Sequence, residues 1–234
     1  MKRALLTILI AALAAALNTS VSDGRDAGMA TKVELPKAAL EGKMSVEEAI
    51  AGRRSRREFS DKALTLQQVA QILWCAQGTT DERGLKRAAP SAGATYPLDV
   101  FIAVGKAGVV GLKEGVYHYV PSGHALVQTG GVDVRAKIAS AALNQGFLAE
   151  APLDVLIAAD YERTTGRYGE RGIRYVHIEV GHAGQNIYLQ AEALGLGTVA
   201  VGAFEDKGVA RAFGLPGDLE PLYLMPIGYV RGAL

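Results

Sequence analysis

Residues 53–59 read RRSRREF, placing Arg53, Arg54, Arg56 and Arg57 around one serine, Ser55. Guanidinium forks match phosphate oxygens bidentately, and a hydroxyl adds a donor between them. In extended backbone successive side chains alternate sides, so Arg53, Ser55 and Arg57 would face one ligand while Arg54 and Arg56 face away. Two readings fit this spacing: a cradle for a phosphate monoester, or a solvated basic turn. Arg54 is counted with the cradle because it adds charge to the same short segment.

Two further stretches have the character of a binding surface. Pro90-Ser91-Ala92-Gly93 carries no bulk, as backbone packed against a flat ring requires. Val201-Gly202-Ala203 follows an apolar run and offers bare amides, which stabilise an electron-rich ring atom. Each by itself also reads as an ordinary tight turn. Other signals dissolve on inspection. Gly195-Leu196-Gly197 with Gly202 lacks the strand–turn–helix order of a dinucleotide fingerprint. His177 and His182 are five apart, where two ligands on one helical face want three or four, so no metal site is expected. His118 and His124 read as surface residues of a hairpin, and Tyr117, Tyr119, Tyr161 and Tyr175 as packing residues.

The elements that must position these residues can be traced along the chain. Ser45-Val46-Glu47-Glu48 is a capping box that opens a helix over about 46–52 and leads into the arginines. Thr65-Leu66-Gln67-Gln68 repeats it for a second helix, which Gly78 ends. Residues 99–104 and 153–159 read as buried strands, and 116–127 as a hairpin around Pro-Ser-Gly. A short helix spans 134–143. The long element over 173–194 has a middle whose one charge is Glu179, and it contains Gly181 and Gly184, so it predicts a helix buried at the heart of a domain or dimer. A strand over 199–202, a helix over 206–213 and a strand over 222–230 complete an α+β domain with a mixed central sheet flanked by helices.

The chain opens with Lys2 and Arg3, then an apolar run over residues 4–17, which reads as a signal peptide over residues 1–22. The run is shorter than the roughly 20 residues a membrane span needs. Periplasmic or secreted localisation follows, or a cytoplasmic one if Met29 is the true start. Residues 23–43 read as an extended arm and 44–234 as one domain. With 25 basic and 24 acidic residues, the balance argues against nucleic acid as a general partner. Cys75 is the one cysteine, so no intrachain disulfide can form.

RRSRREF, then PSAGATYP (90–97), RYGERGIRYVHIEVGHAGQN (167–186), LGLGTVAVGAF (194–204) and PLYLMPIGYV (221–230), taken in order, resemble the nitroreductase family of flavin enzymes. Within it the chain is most similar to the azoline dehydrogenase-like branch. The resemblance implies FMN held between the subunits of an intertwined homodimer. It assigns Arg53, Arg54, Ser55 and Arg57 to the phosphate and ribityl chain, with Arg231 as a looser match. It assigns Pro90, Ser91, Ala92 and Gly93 to contact from the second subunit, and Val201, Gly202 and Ala203 to flavin N5. Where the azoline branch has a Lys-Tyr pair, this chain has Arg167-Tyr168, and arginine is always protonated, so it is no base. Tyr168 alone is left to position or donate a proton. The implied activity is ping-pong hydride transfer from a small-molecule donor such as NAD(P)H to nitroaromatic or quinone-like acceptors, with no stable membrane anchor. Oxidation of a C–N bond in a small heterocycle, or a flavin carrier without turnover, are the alternatives.

Overall fold

The computed structural model describes residues 31–232. The expected signal peptide, the start of the arm and the last two residues lie outside them. Seven strands form one sheet: β1 (Lys32–Glu34), β2 (Leu98–Val104), β3 (Gly115–Val120), β4 (Ala125–Gly130), β5 (Leu153–Ala159), β6 (Gly197–Thr198) and β7 (Glu220–Gly228). Their order is β1-β4-β3-β2-β5-β7-β6, and every pair is antiparallel. Parallel pairing enters only as isolated bridges, one of them Ser55 with Thr198. The helices are α1 (Val46–Gly52), α2 (Leu66–Gln77), α3 (Arg135–Ala141), α4 (Phe147–Glu150), α5 (Glu162–Tyr168), α6 (Arg171–Ala193) and α7 (Asp206–Phe213).

Strand periodicity divides the core into two layers. Val100, Ile102, Val155, Ile157, Met225 and Ile227 face one side, where they join α2 and α6. Phe101, Ala103, Leu156, Ala158 and Leu224 face the other and pack with α3 and α7. Helices on both faces explain why every residue of β5 is buried. Buried in the same strand is Asp154, with neither carboxylate oxygen partnered. Burial pushes its carboxyl well above the ordinary aspartate range, with Arg135 opposing.

Both capping boxes form. Ser45 Oγ accepts from Glu48 N–H at 3.1 Å and Glu48 Oε2 from Ser45 N–H at 2.7 Å. Thr65 and Gln68 make the same exchange. The long helix α6 buries Val176, Glu179, Val180, Ala183, Gly184, Ile187 and Ala191, a stripe at helical spacing. A side-chain carbon at Gly184 would come within 3.2 Å of the Tyr223 ring, so glycine there lets α6 settle on β7. On α2, Cys75 is buried with its Sγ donating to Ile72 O at 3.1 Å, and burial pushes its thiol far up. No helix among the described residues is long and apolar enough to cross a membrane.

Two local expectations change. The strand expected over 199–202 is instead β6 followed by a bend: Ala200 N–H leaves the ladder for Tyr188 Oη, and Val201 rejoins it opposite Leu224. The hairpin histidines are not free surface residues. His118 Nε2 lies 2.8 Å from Asp99 Oδ1 and its ring stacks on Phe101. His124 joins Tyr119 Oη to the carbonyl of Pro36, which pins the N-terminal arm beside β1.

Candidate functional site

The arginine segment leaves α1 in extended conformation, with Arg53 capping the helix through its N–H to Ala49 O at 3.0 Å. Arg56 N–H then donates to Thr198 O at 2.9 Å, which fixes the segment against β6. Arg53 and Ser55 turn to the same partner. The Arg53 guanidinium lies over the Tyr188 ring, 5.2 Å from its centre, and Ser55 Oγ is 3.0 Å from Tyr188 Oη. Arg57 lies 5.9 Å from the centre of the Phe147 ring. Arg54 turns back to donate to Ala51 O and Arg53 O, both at 2.8 Å. Arg56 packs along Gly197, where an added side-chain carbon would come within 2.8 Å of its Cβ. Among the described residues none of these four arginines has a carboxylate partner in an ion pair. Such a patch of uncompensated guanidinium attracts an anion.

Tyr188 joins this segment to the second one. Its hydroxyl accepts from Ala200 N–H at 2.8 Å while bonding Ser55. Beyond the Val201–Leu224 bridge, Gly202 and Ala203 are exposed, and their amides donate to no group among the described residues. Ala203 O accepts from Gln145 Nε2 at 3.0 Å, two residues before Phe147. One neighbourhood therefore holds Arg53, Ser55, Arg57 and residues 200–203. Arg231 returns to the same extended segment, donating to Phe59 O at 2.9 Å, with Glu150 3.4 Å away. Its charge is partly engaged, unlike that of Arg53 and Arg57. A surface depression between α3 and α7, lined by Lys137, Ser140, Glu205 and Arg211, includes none of the predicted residues.

Residues 90–93 fall elsewhere. They enter a short turn in which Gly93 has φ of 60°, Ala94 54° and Tyr96 47°. Ser91 Oγ accepts from Tyr96 N–H at 2.9 Å and closes the turn. Arg167 donates to Gly93 O at 3.1 Å. Tyr168 stands so near that a side-chain carbon at Gly93 would fall within 2.3 Å of its hydroxyl. The Tyr168 ring meets Tyr175 of α6 edge to face, with centres 5.2 Å apart. Beneath the turn lies Glu179, 2% exposed, whose carboxyl is pushed up to about 7 by burial. Ser91 and Gln77 approach it and offset part of that shift, yet Glu179 Oε1 and Gln77 Nε2 remain without a hydrogen-bond partner. Glu179 and Tyr188 are nine positions apart on α6, about 14 Å along its axis. The two clusters are therefore separate within a single chain.

The sequence alone missed Tyr188, Gln145 and Phe147. Tyr188 had one available signal: a tyrosine in a helix whose middle is poor in charge needs a partner for its hydroxyl. Tyr161 also finds a partner, its Oη lying 2.6 Å from His177 Nε2. Among the described residues no group of three or more His, Cys, Asp or Glu is placed to hold a metal ion.

The fold is α+β, with a cluster of arginines and a serine hydroxyl beside uncommitted backbone amides. The nitroreductase family model matches residues 50–229, and the chain belongs to that family, whose members are oxidoreductases. MJ1384, a Methanocaldococcus jannaschii protein named as a nitroreductase, is 50% identical over 185 residues, covering 79% of this chain and 91% of its own length. The Escherichia coli microcin B17-processing protein McbC is 27% identical over 161 residues, 67% of this chain and 59% of that protein. A crystal structure of a nitroreductase-named protein from Ralstonia eutropha superposes with a TM-score of 0.75 at 28% identity, covering 86% of this chain and 90% of that one.

Proposed function

We propose that the protein is an FMN-dependent oxidoreductase acting as a homodimer on small molecules by a ping-pong exchange. One observation carries this reading: Arg53 and Ser55 converge on Tyr188, and the same tyrosine fixes the bend that leads to the free amides of Gly202 and Ala203. Phosphate-binding groups and ring-facing donors are thereby held at a set distance by one side chain. Arg53, Ser55 and Arg57 hold the phosphate, Arg54 adds positive charge behind it, and Arg231 steadies the segment they lie on. Val201, Gly202 and Ala203 present backbone to the ring. When bound, FMN supplies hydride acceptance and return at N5.

The second half-site is contributed by another copy, with Pro90, Ser91, Ala92 and Gly93 covering the ring and Tyr168 beside them. The exposed apolar residues Ile173 and Ile178 on α6, and Val46 and Ile50 on α1, support such an interface. Tyr168 positions substrate or donates a proton, while Arg167 supplies charge and hydrogen bonds but no base. An NAD(P)H-like donor and a nitroaromatic or quinone-like acceptor use the cleft in turn. Export through residues 1–22 is part of the proposal, with a cytoplasmic protein following from a start at Met29. Similarity to McbC and to the trifolitoxin-processing protein TfxB favours a second reading, oxidation of a C–N bond in a small heterocycle.

The test is the visible spectrum of the purified protein offered FMN and then desalted. Retained flavin bands in the wild type, lost in Arg53→Ala/Arg57→Ala at unchanged oligomeric state, are expected. A colourless wild type, or a double variant that keeps its flavin, would overturn the assignment. Steady-state assays with NAD(P)H plus a quinone, and separately with a thiazoline, then separate the two reactions.

A further inference from the structure

Glu179 has no part in the reaction proposed above, yet its surroundings are unusual. It is the one charge-bearing residue on the buried stripe of α6, 2% exposed, with Oε1 unpartnered. Above it sits Ser91, whose Oγ closes the 91–96 turn on Tyr96 N–H. That turn places non-glycine residues, Ala94 and Tyr96, in left-handed backbone, which costs about 1–2 kcal/mol per residue. It holds together only where surrounding contacts impose it. Those contacts form a ring: Glu179 under Ser91, Arg167 on Gly93 O, Tyr168 against Tyr175, and Tyr175 one helical turn from Glu179 on the same face of α6.

We propose that Glu179 is a positioning residue that keeps the 91–96 turn closed while its carboxyl is protonated and lets the turn open when the proton is lost. Resting on the flavin reading, the inference makes coverage of the bound ring by Ser91–Gly93 dependent on pH. The groups facing the carboxyl are Ser91 from the turn and Gln77 from α2, neither of which titrates. On α6, Tyr175 and His182 stand at one-turn spacing. Neither they nor any Lys, Arg, Asp or Glu of α2, α5 or the turn adds a charge effect at this carboxyl. An ionised carboxylate here has one hydroxyl and one amide for compensation, too little for a charge removed from water. Opening of the turn above it would let water supply the missing hydrogen bonds. Since burial raises the carboxyl from the ordinary glutamate range to about 7, opening becomes easier as pH climbs through that interval and levels off above about 7.

The experiment is amide hydrogen exchange on the full-length protein at pH 6 and pH 8, corrected for intrinsic exchange, with FMN affinity measured at both. For a group raised from the ordinary glutamate range to about 7, protection of the Ala94 and Tyr96 amides should fall about tenfold across that interval, and FMN affinity should fall in the same direction by no more than that factor. Glu179→Gln, which mimics the protonated acid, should flatten both profiles. If that variant does not fold, Glu179→Leu serves, since it fills the same buried position, has no proton to lose and should likewise leave turn protection independent of pH. A parallel decline in wild type and Glu179→Gln would overturn the role of Glu179 even if FMN binds well. Turn protection that responds to pH only in the wild type, in a protein that never retains FMN, would uphold Glu179 and sink the flavin reading.

Discussion

Replacing Tyr188 by Phe tests whether one hydroxyl ties the two segments of the candidate site together. The ring remains, so the stacking of Arg53 is largely kept, and only the bonds to Ser55 Oγ and Ala200 N–H are lost. Ser55 is exposed and regains water, so its bond contributes little. Ala200 N–H is half-buried and off the sheet ladder; leaving such a donor unpaired costs about 1–3 kcal/mol, towards the lower end where water has partial access. The expected loss is about 1.5 kcal/mol. With a urea slope of about 2–3 kcal/mol/M, that moves the midpoint down by about 0.5–0.7 M. Circular dichroism during urea titration measures it. A cycle with Ser55→Ala adds the diagnostic part: if the three groups act together, the double variant should lose less than the sum of the singles. An unmoved midpoint, or strictly additive losses, would mean that Tyr188 does not organise the site.

The other expectations concern the turn, the chemistry and the core. Gly93→Ala adds a left-handed penalty of about 1–2 kcal/mol and drives a methyl into Tyr168, so its loss of thermal stability should shrink when Tyr168→Ala is added; equal losses in both backgrounds would count against the packing described. Tyr168→Phe should slow turnover and leave FMN affinity unchanged, with identical rates removing Tyr168 from the mechanism. Asp154 has a folded-state carboxyl raised above its unfolded value, so its contribution is full at acid pH and is lost as pH rises. Asp154→Asn should therefore gain melting temperature relative to wild type as pH rises above about 4, and parallel melting curves would refute the burial argument.

Local physics explains what could be read beforehand. Caps, apolar runs and terminal glycines act over a few residues, so α1, α2, β5, α7 and the hairpin lie where the sequence puts them. The shared side of Arg53 and Ser55 was legible because it depends only on extended backbone. Contacts between distant residues were not. His124 is held by the Pro36 carbonyl, 88 positions away, and the bend at Ala200 exists because a tyrosine on α6 captures its amide. The helix α5 carries no cap or apolar stripe and went unseen, so the meeting of Arg167 and Tyr168 with Gly93 was invisible. Family resemblance named Ser91 and Gly93 without indicating the carboxyl underneath.

Cys75 offers a practical consequence. It is the single cysteine of the chain, and its buried, strongly protonated thiol is a poor nucleophile. Maleimide reagents should pass the wild-type protein by, so a cysteine introduced on the surface becomes a unique attachment point without prior removal of a native one. Leu85 is 63% exposed, and its carbonyl accepts from the Tyr96 hydroxyl at 2.7 Å. A fluorophore on Leu85→Cys would sit at the edge of the 91–96 turn and report its opening in real time.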